Sequence, residues 1–235
     1  MAHAGGSQLS LNIRLRDDAT FDNYLVHQGV AAVCASLDDS GERLLFLHGP
    51  FNAGKSHLLQ AACHACEGVS LYLPLATIAD MAPSELLDDI QHLALICLDD
   101  LQAVAGQRDW EYALFKLYNA VQASEARLVI AADAPPNRLA TVMPDLRSRL
   151  TAMLVCSMPP PDDTAREAIL IARAHNRGLS MPSEVARYVS HRAGRSLGDV
   201  MAVLEMLDRA SLTYQRGLSI PFVRQVMGWH SGQAR

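Results

Sequence analysis

Residues 49–56 read Gly49-Pro50-Phe51-Asn52-Ala53-Gly54-Lys55-Ser56, a full G-x-x-x-x-G-K-[ST] signature. No other stretch constrains the fold as much, because the signature works only between a strand and a helix, where a helix N-terminus offers backbone N–H groups to a phosphate. That setting is present. Leu44-Leu45-Phe46-Leu47 is a short apolar run of the kind that forms a buried strand, and residues 56–65 read as a helix. Gly49 and Gly54 permit backbone angles and a close approach that a β-carbon would block. Lys55 can reach the β- and γ-phosphates of a nucleotide, and the Ser56 hydroxyl can ligate Mg²⁺. Pro50, Asn52, Ala53 and His57 complete the expected nucleotide-binding stretch.

Downstream the pattern alternates. Residues 69–73, 93–98, 128–132 and 153–156 are further strand candidates, and 84–90 and 109–124 are helical, the latter with Trp110, Leu114, Leu117 and Val121 on one stripe. An earlier helix is expected over 21–37. The unbroken apolar run at 93–98 suits a strand covered on both faces of a parallel sheet. Together these features predict a doubly wound α/β fold. Pro159-Pro160-Pro161 then interrupts the chain. Four helices follow. The first is expected to open on a Thr164–Glu167 capping box and the second at Pro182. The third carries Leu197, Val200, Met201, Leu204 and Leu207 on one face, and the fourth opens at Ser219 and Pro221. The expected organisation is a flexible tail over 1–18, an α/β base over 19–160 and a helical lid over 161–235.

Composition excludes several classes. The net charge of −5 argues against a protein held on nucleic acid mainly by phosphate contacts. No apolar run reaches the length of a membrane span, and the N-terminus lacks the cationic and apolar segments of a secretion signal, so the expected location is the cytoplasm. Cys63-His64-Ala65-Cys66 has metal-like spacing, but no second pair follows. The cysteines read as small buried hydrophobes.

Asp99 and Asp100 end the third strand. A carboxylate there can hold Mg²⁺ beside the phosphate loop, with Ser56 as the other protein ligand, and a second can polarise the attacking water. Asp133 ends the fourth strand, where it serves either as a γ-phosphate sensor or as a turn former before Pro135-Pro136. Arg147 and Arg149 precede the fifth strand. An arginine exposed at a subunit edge can stabilise charge in a neighbour's phosphoryl transfer; the alternative is a surface salt bridge.

These segments resemble AAA+ ATPases, and within them the DnaA branch: Phe21-Asp22-Asn23-Tyr24, the phosphate loop, the strand ending Leu98-Asp99-Asp100-Leu101, Ala132-Asp133-Ala134-Pro135-Pro136 and Pro144-Asp145-Leu146-Arg147-Ser148-Arg149-Leu150. The resemblance runs from Gln8 to about Met227. It implies an AAA+ parallel sheet flanked by helices with a small all-helical lid, ADP or ATP bound with Mg²⁺, Asp133 as first sensor and Arg149 as an arginine finger acting in trans. Gln8-Leu9-Ser10-Leu11 resembles the motif that docks into the bacterial sliding clamp. The sequence ends at Arg235, so a helix-turn-helix DNA reader is not expected. The branch places a second-sensor arginine on the third lid helix, where this sequence has Gly198; Arg195, one turn earlier, faces another direction at that spacing. The implied function is negative regulation of replication initiation. An ADP-bound protein would dock on the DNA-loaded clamp and stimulate ATP hydrolysis by DnaA, with little or no ATPase of its own, whether or not it self-associates. The alternative is an autonomous ATPase or loader of the same branch.

Overall fold

The computed structural model describes residues 15–229 apart from 18, 28, 39–41 and 195. Five short strands carry the core: β1 Leu44–His48, β2 Ser70–Pro74, β3 Leu95–Asp99, β4 Arg127–Ala132 and β5 Leu154–Ser157. They pair in the order β2-β3-β4-β1-β5, with every pairing parallel. Parallel strands need crossover elements, and helices supply them. The helices of the base are α1 Ala31–Asp38, α2 Lys55–Ala65, α3 Leu75–Ile78, α4 Pro83–Leu87, α5 Arg108–Gln122 and α6 Pro144–Ala152.

Strand side chains alternate between two cores, as the two-residue period requires. Ile96 and Leu98 join Trp110, Leu114 and Leu117 of α5 on one face. Leu95 and Cys97 join Val33 of α1 and Leu58 and Leu59 of α2 on the other. The parallel sheet is therefore covered on both sides, which is what the continuous apolar run at 93–98 predicts. Four more helices form a separate core of their own around Leu170, Val185, Leu204 and Phe222. They are α7 Asp163–Asn176, α8 Ser183–Arg192, α9 Leu197–Tyr214 and α10 Ile220–Met227. The α/β expectation holds, and a helical lid follows the sheet.

Three local expectations need correction. The helix expected over 21–37 is confined to α1; upstream of it, the Thr20 hydroxyl accepts from Asn23 N at 3.3 Å and Tyr24 N bonds Phe21 O at 3.0 Å, closing a turn. Polar side chains that bond nearby backbone compete with helix formation in this way. The helix expected over 84–90 stops at Leu87, because Asp88 is extended and Asp89 takes φ 61°. The first lid helix opens not on a Thr164–Glu167 box but on Asp162, whose carboxylate accepts from Ala165 N at 2.7 Å. Asp is as good an N-cap as Ser, and it comes first in the chain. Among the described residues, no helix is long and apolar enough to cross a membrane.

Candidate functional site

The strand order decides which residues meet. β4 lies between β3 and β1, so the C-terminal ends of these neighbours bring together Asp99 and Asp100, Asp133, and the loop that starts at Gly49. Open α/β sheets bind ligands at such carboxyl ends. Gly49 N donates to Ala132 O at 3.3 Å, fastening the loop's first residue to β4.

The loop then turns tightly into α2. Gly54 takes φ 92°, and a β-carbon there would lie 2.9 Å from the Tyr24 hydroxyl oxygen. A β-carbon on Gly49 would lie 2.2 Å from the carbonyl oxygen of Met158. Both signature glycines are thus required, one by angle and crowding and one by backbone approach. Lys55 is buried, and its ammonium donates to Gly49 O at 2.7 Å and Pro50 O at 3.0 Å. Burial holds its pKa below the ordinary lysine value, while the carboxylates of Asp99, Asp100 and Asp133 push the other way. All three acids therefore act on the same ammonium.

Asp99 is almost fully buried, and burial raises its pKa. Hydrogen bonds oppose that shift: the Ser56 hydroxyl donates to it, Tyr72 Oη donates to Oδ2 at 2.8 Å, and Asp100 N donates to Oδ1 at 3.0 Å. Ser56 and Asp99 are thus adjacent, presenting two hard oxygen donors at the mouth of the loop. Mg²⁺ is typically held by one or two such protein oxygens plus substrate phosphates, so this pair fits it. Among the described residues, no group of three or more His, Cys, Asp or Glu suited to a metal occurs. Asp100 sits at φ 57° and accepts from Gln102 Nε2 at 2.9 Å. The other end of that amide accepts from Asp133 N at 3.1 Å. Gln102 therefore ties the end of β3 to the end of β4.

The side of the loop facing the lid is polar. His57 Nε2 meets Thr20 O at 2.8 Å, and its Nδ1 meets Arg173 Nη2 of α7 at 2.6 Å. These partners fit a ring that donates from Nε2 and accepts at Nδ1. Asn176 Nδ2 adds a bond to Asn23 Oδ1 at 2.8 Å. Tyr24, Tyr72 and Gln102 are site residues that sequence reasoning missed. Of the three, only Tyr24 belongs to a recognisable segment, Phe21-Asp22-Asn23-Tyr24.

Arg149 is exposed on α6, with its guanidinium 5.7 Å from the Tyr118 ring centroid of α5. Arg147 is tied down, bonding the carbonyl and hydroxyl of Thr141. The loop before α6 is itself anchored, because buried Glu111 accepts from Gly106 N at 2.8 Å, Val142 N at 3.0 Å and Met143 N at 2.7 Å. Cys63 is buried against Cys97 rather than paired with Cys66, in keeping with a packing role. Gln8, Leu9, Ser10, Leu11 and Arg195 lie outside the described residues.

Two family models match the chain. The bacterial DnaA ATPase domain matches residues 74–157, and the Hda lid domain matches 163–227. Among solved structures, domain III of the Thermotoga maritima replication initiation protein DnaA is similar over 92% of this chain and 98% of its own, at 22% identity and a TM-score of 0.79. AMPPCP-bound DnaA from Aquifex aeolicus aligns over 85% of this chain and 67% of its own, at 19% identity and a TM-score of 0.70. The Thermotoga maritima RuvB Holliday junction branch migration motor aligns over 89% and 71%, at 13% identity and a TM-score of 0.65. The fold, a parallel five-stranded sheet with a helical lid, is an AAA+ fold of the DnaA type. With residues 74–157 similar to the DnaA ATPase domain and residues 163–227 similar to the Hda lid, the chain is similar to the Hda/DnaA branch of AAA+ proteins.

Proposed function

We propose that this protein is a nucleotide-bound negative regulator of replication initiation that switches off DnaA by promoting hydrolysis of the ATP on DnaA. The observation that carries this reading is the Hda-type lid at 163–227 joined to a DnaA-type ATPase base at 74–157. AMPPCP occupies a structural neighbour of the same fold.

In this reading ADP or ATP sits on the loop from Gly49 to Ser56. Backbone N–H groups and the start of α2 hold the phosphates. Lys55, now bonded to loop carbonyls, turns its ammonium to the β-phosphate. Asp100 and Asp133 line the outer side, with Gln102 fixing their spacing. Ser56 and Asp99 would hold Mg²⁺, which neutralises phosphate charge when bound. The nucleotide fixes the shape of the protein rather than being consumed. The tail residues Gln8 to Leu11 dock on the DNA-loaded sliding clamp. Arg149 leaves the face of Tyr118 and enters the nucleotide site of DnaA, where an added cation stabilises developing charge by roughly 10³–10⁵ in rate. An exposed cation resting on an aromatic face is held by only about 0.5–1 kcal/mol, so little opposes that transfer.

A comparison of two hydrolysis rates tests the reading against an autonomous ATPase or loader. The purified protein alone is expected to turn over ATP negligibly, while hydrolysis by DnaA rises when the protein and DNA-loaded clamp are added. Fast turnover without partners, and no rise with them, would establish the motor instead.

A further inference from the structure

The lid touches the phosphate loop at one unusual point. Gly198 is the second residue of α9, and a β-carbon built on it would lie 2.0 Å from Asn52 Nδ2 and 2.8 Å from Asn52 Cγ. All three of its nearest atoms belong to Asn52. Asn52 sits near the tip of the loop at φ 63°, a left-handed conformation that Asn tolerates better than other side chains. Its amide therefore rests on the bare backbone of the lid helix.

The first turn of α9 leaves room for such a contact. Its capping box uses Ser196 Oγ, which accepts from Asp199 N at 3.1 Å, and Asp199 Oδ2, which accepts from Ser196 N at 3.1 Å. The box covers neither Leu197 N–H nor Gly198 N–H, and the first N–H groups of a helix have no partner inside it. The Asn52 amide atom nearest Gly198 is Nδ2, itself a donor, so the contact is one of close packing and not of capping. The same residue also belongs to the loop whose N–H groups must converge on phosphate. Asn52 holds its own backbone at φ 63°, a sparsely populated region, so a side chain forced out of this space bears on a loop conformation with little slack.

We propose that Asn52 is a positioning residue: packed into the space left by Gly198, it couples the start of α9 to the phosphate loop, so that lid position and the grip on the terminal phosphate of a nucleoside di- or triphosphate change together. This deepens the nucleotide-binding reading of residues 49–56 and rests on it. Gly198 is then required at this place because any side chain would push the amide off the helix.

A double-mutant cycle in the full chain tests it, with fluorescent ADP and ATP analogues as probes. Gly198→Ala is expected to weaken binding about tenfold in the natural background, a size typical of coupled contacts. In an Asn52→Gly background the same substitution is expected to cost less than about twofold, because the methyl then meets nothing. Equal penalties in both backgrounds, or none in either, overturn the proposal. Alanine is the better helix former, so melting of α9 does not mimic the effect. If Gly198→Ala lowers the thermal midpoint, Asn52→Gly must restore it as well; an unrescued fall also overturns the proposal. Lys55→Ala separates the underlying reading: if it leaves affinity unchanged, residues 49–56 are not the nucleotide site, whatever the cycle shows.

Discussion

Asp99 shows how a site residue costs stability. Its carboxyl is nearly buried, and its pKa is raised mainly by that burial. A folded-state pKa above the unfolded one means that folding takes up protons. The stabilisation from that uptake is fully present below the unfolded carboxyl pKa and is lost as pH rises through the folded one. At neutral pH the ionised carboxylate is therefore a burden. Asp99→Asn is expected to raise the thermal midpoint at pH 7 by about 2–4 °C, equivalent to roughly 1 kcal/mol, and to flatten the gain that the natural protein shows on mild acidification. Thermal melts from pH 7 down to 5 check this, and nucleotide affinity in Mg²⁺ should fall in the same variant. Asp99 itself was legible in the sequence because an acid that ends an unbroken apolar strand, downstream of a phosphate loop, is placed to meet the metal of a bound nucleotide. Tyr72 and Gln102 were not legible. Tyr72 reaches Asp99 across the β2–β3 pairing, and Gln102 bridges two strand ends, so both depend on a strand order that no local pattern encodes.

At the scale of elements, the strands and long helices were legible from their apolar periods, because burial on both faces of a sheet leaves a strong signature. Errors gathered where side chains bond backbone locally, as at Thr20 and Asp162. α3 was missed, since four residues, Leu75–Ile78, carry too little period to read. Glu111 is the element-level device that the sequence hid. From inside α5 it accepts N–H groups of both Val142 and Met143, just ahead of α6, and so fixes the helix that bears Arg149. Glu111→Ala removes the charged acceptor that both N–H groups share, and a hydrogen bond to a charged group contributes about 1.5–3 kcal/mol. The expected result is a thermal midpoint lower by about 5 °C or more, with stimulation of DnaA reduced and nucleotide affinity retained. Calorimetry and nucleotide titration of one preparation check both halves. Loss of nucleotide binding in the still-folded variant would contradict the assignment.

For the whole molecule, base and lid are joined beside the nucleotide loop, through His57 to Arg173, Asn23 to Asn176 and Asn52 against Gly198. A lid fastened this way suits a protein that keeps its nucleotide and changes shape with it. Arg149 is exposed on α6, against the Tyr118 ring. In the proposed function the phosphate loop holds nucleotide while Arg149 acts on a partner. The catalysed hydrolysis in that proposal belongs to DnaA and depends on Arg149. The direct measurement is a single-turnover assay of DnaA preloaded with labelled ATP, mixed with this protein and DNA-loaded clamp. The natural protein should speed hydrolysis by at least about 100-fold over Arg149→Ala, a conservative share of what an arginine finger supplies. Gln8→Ala with Leu11→Ala should slow it through lost clamp attachment. Equal rates with and without Arg149 would contradict the claim.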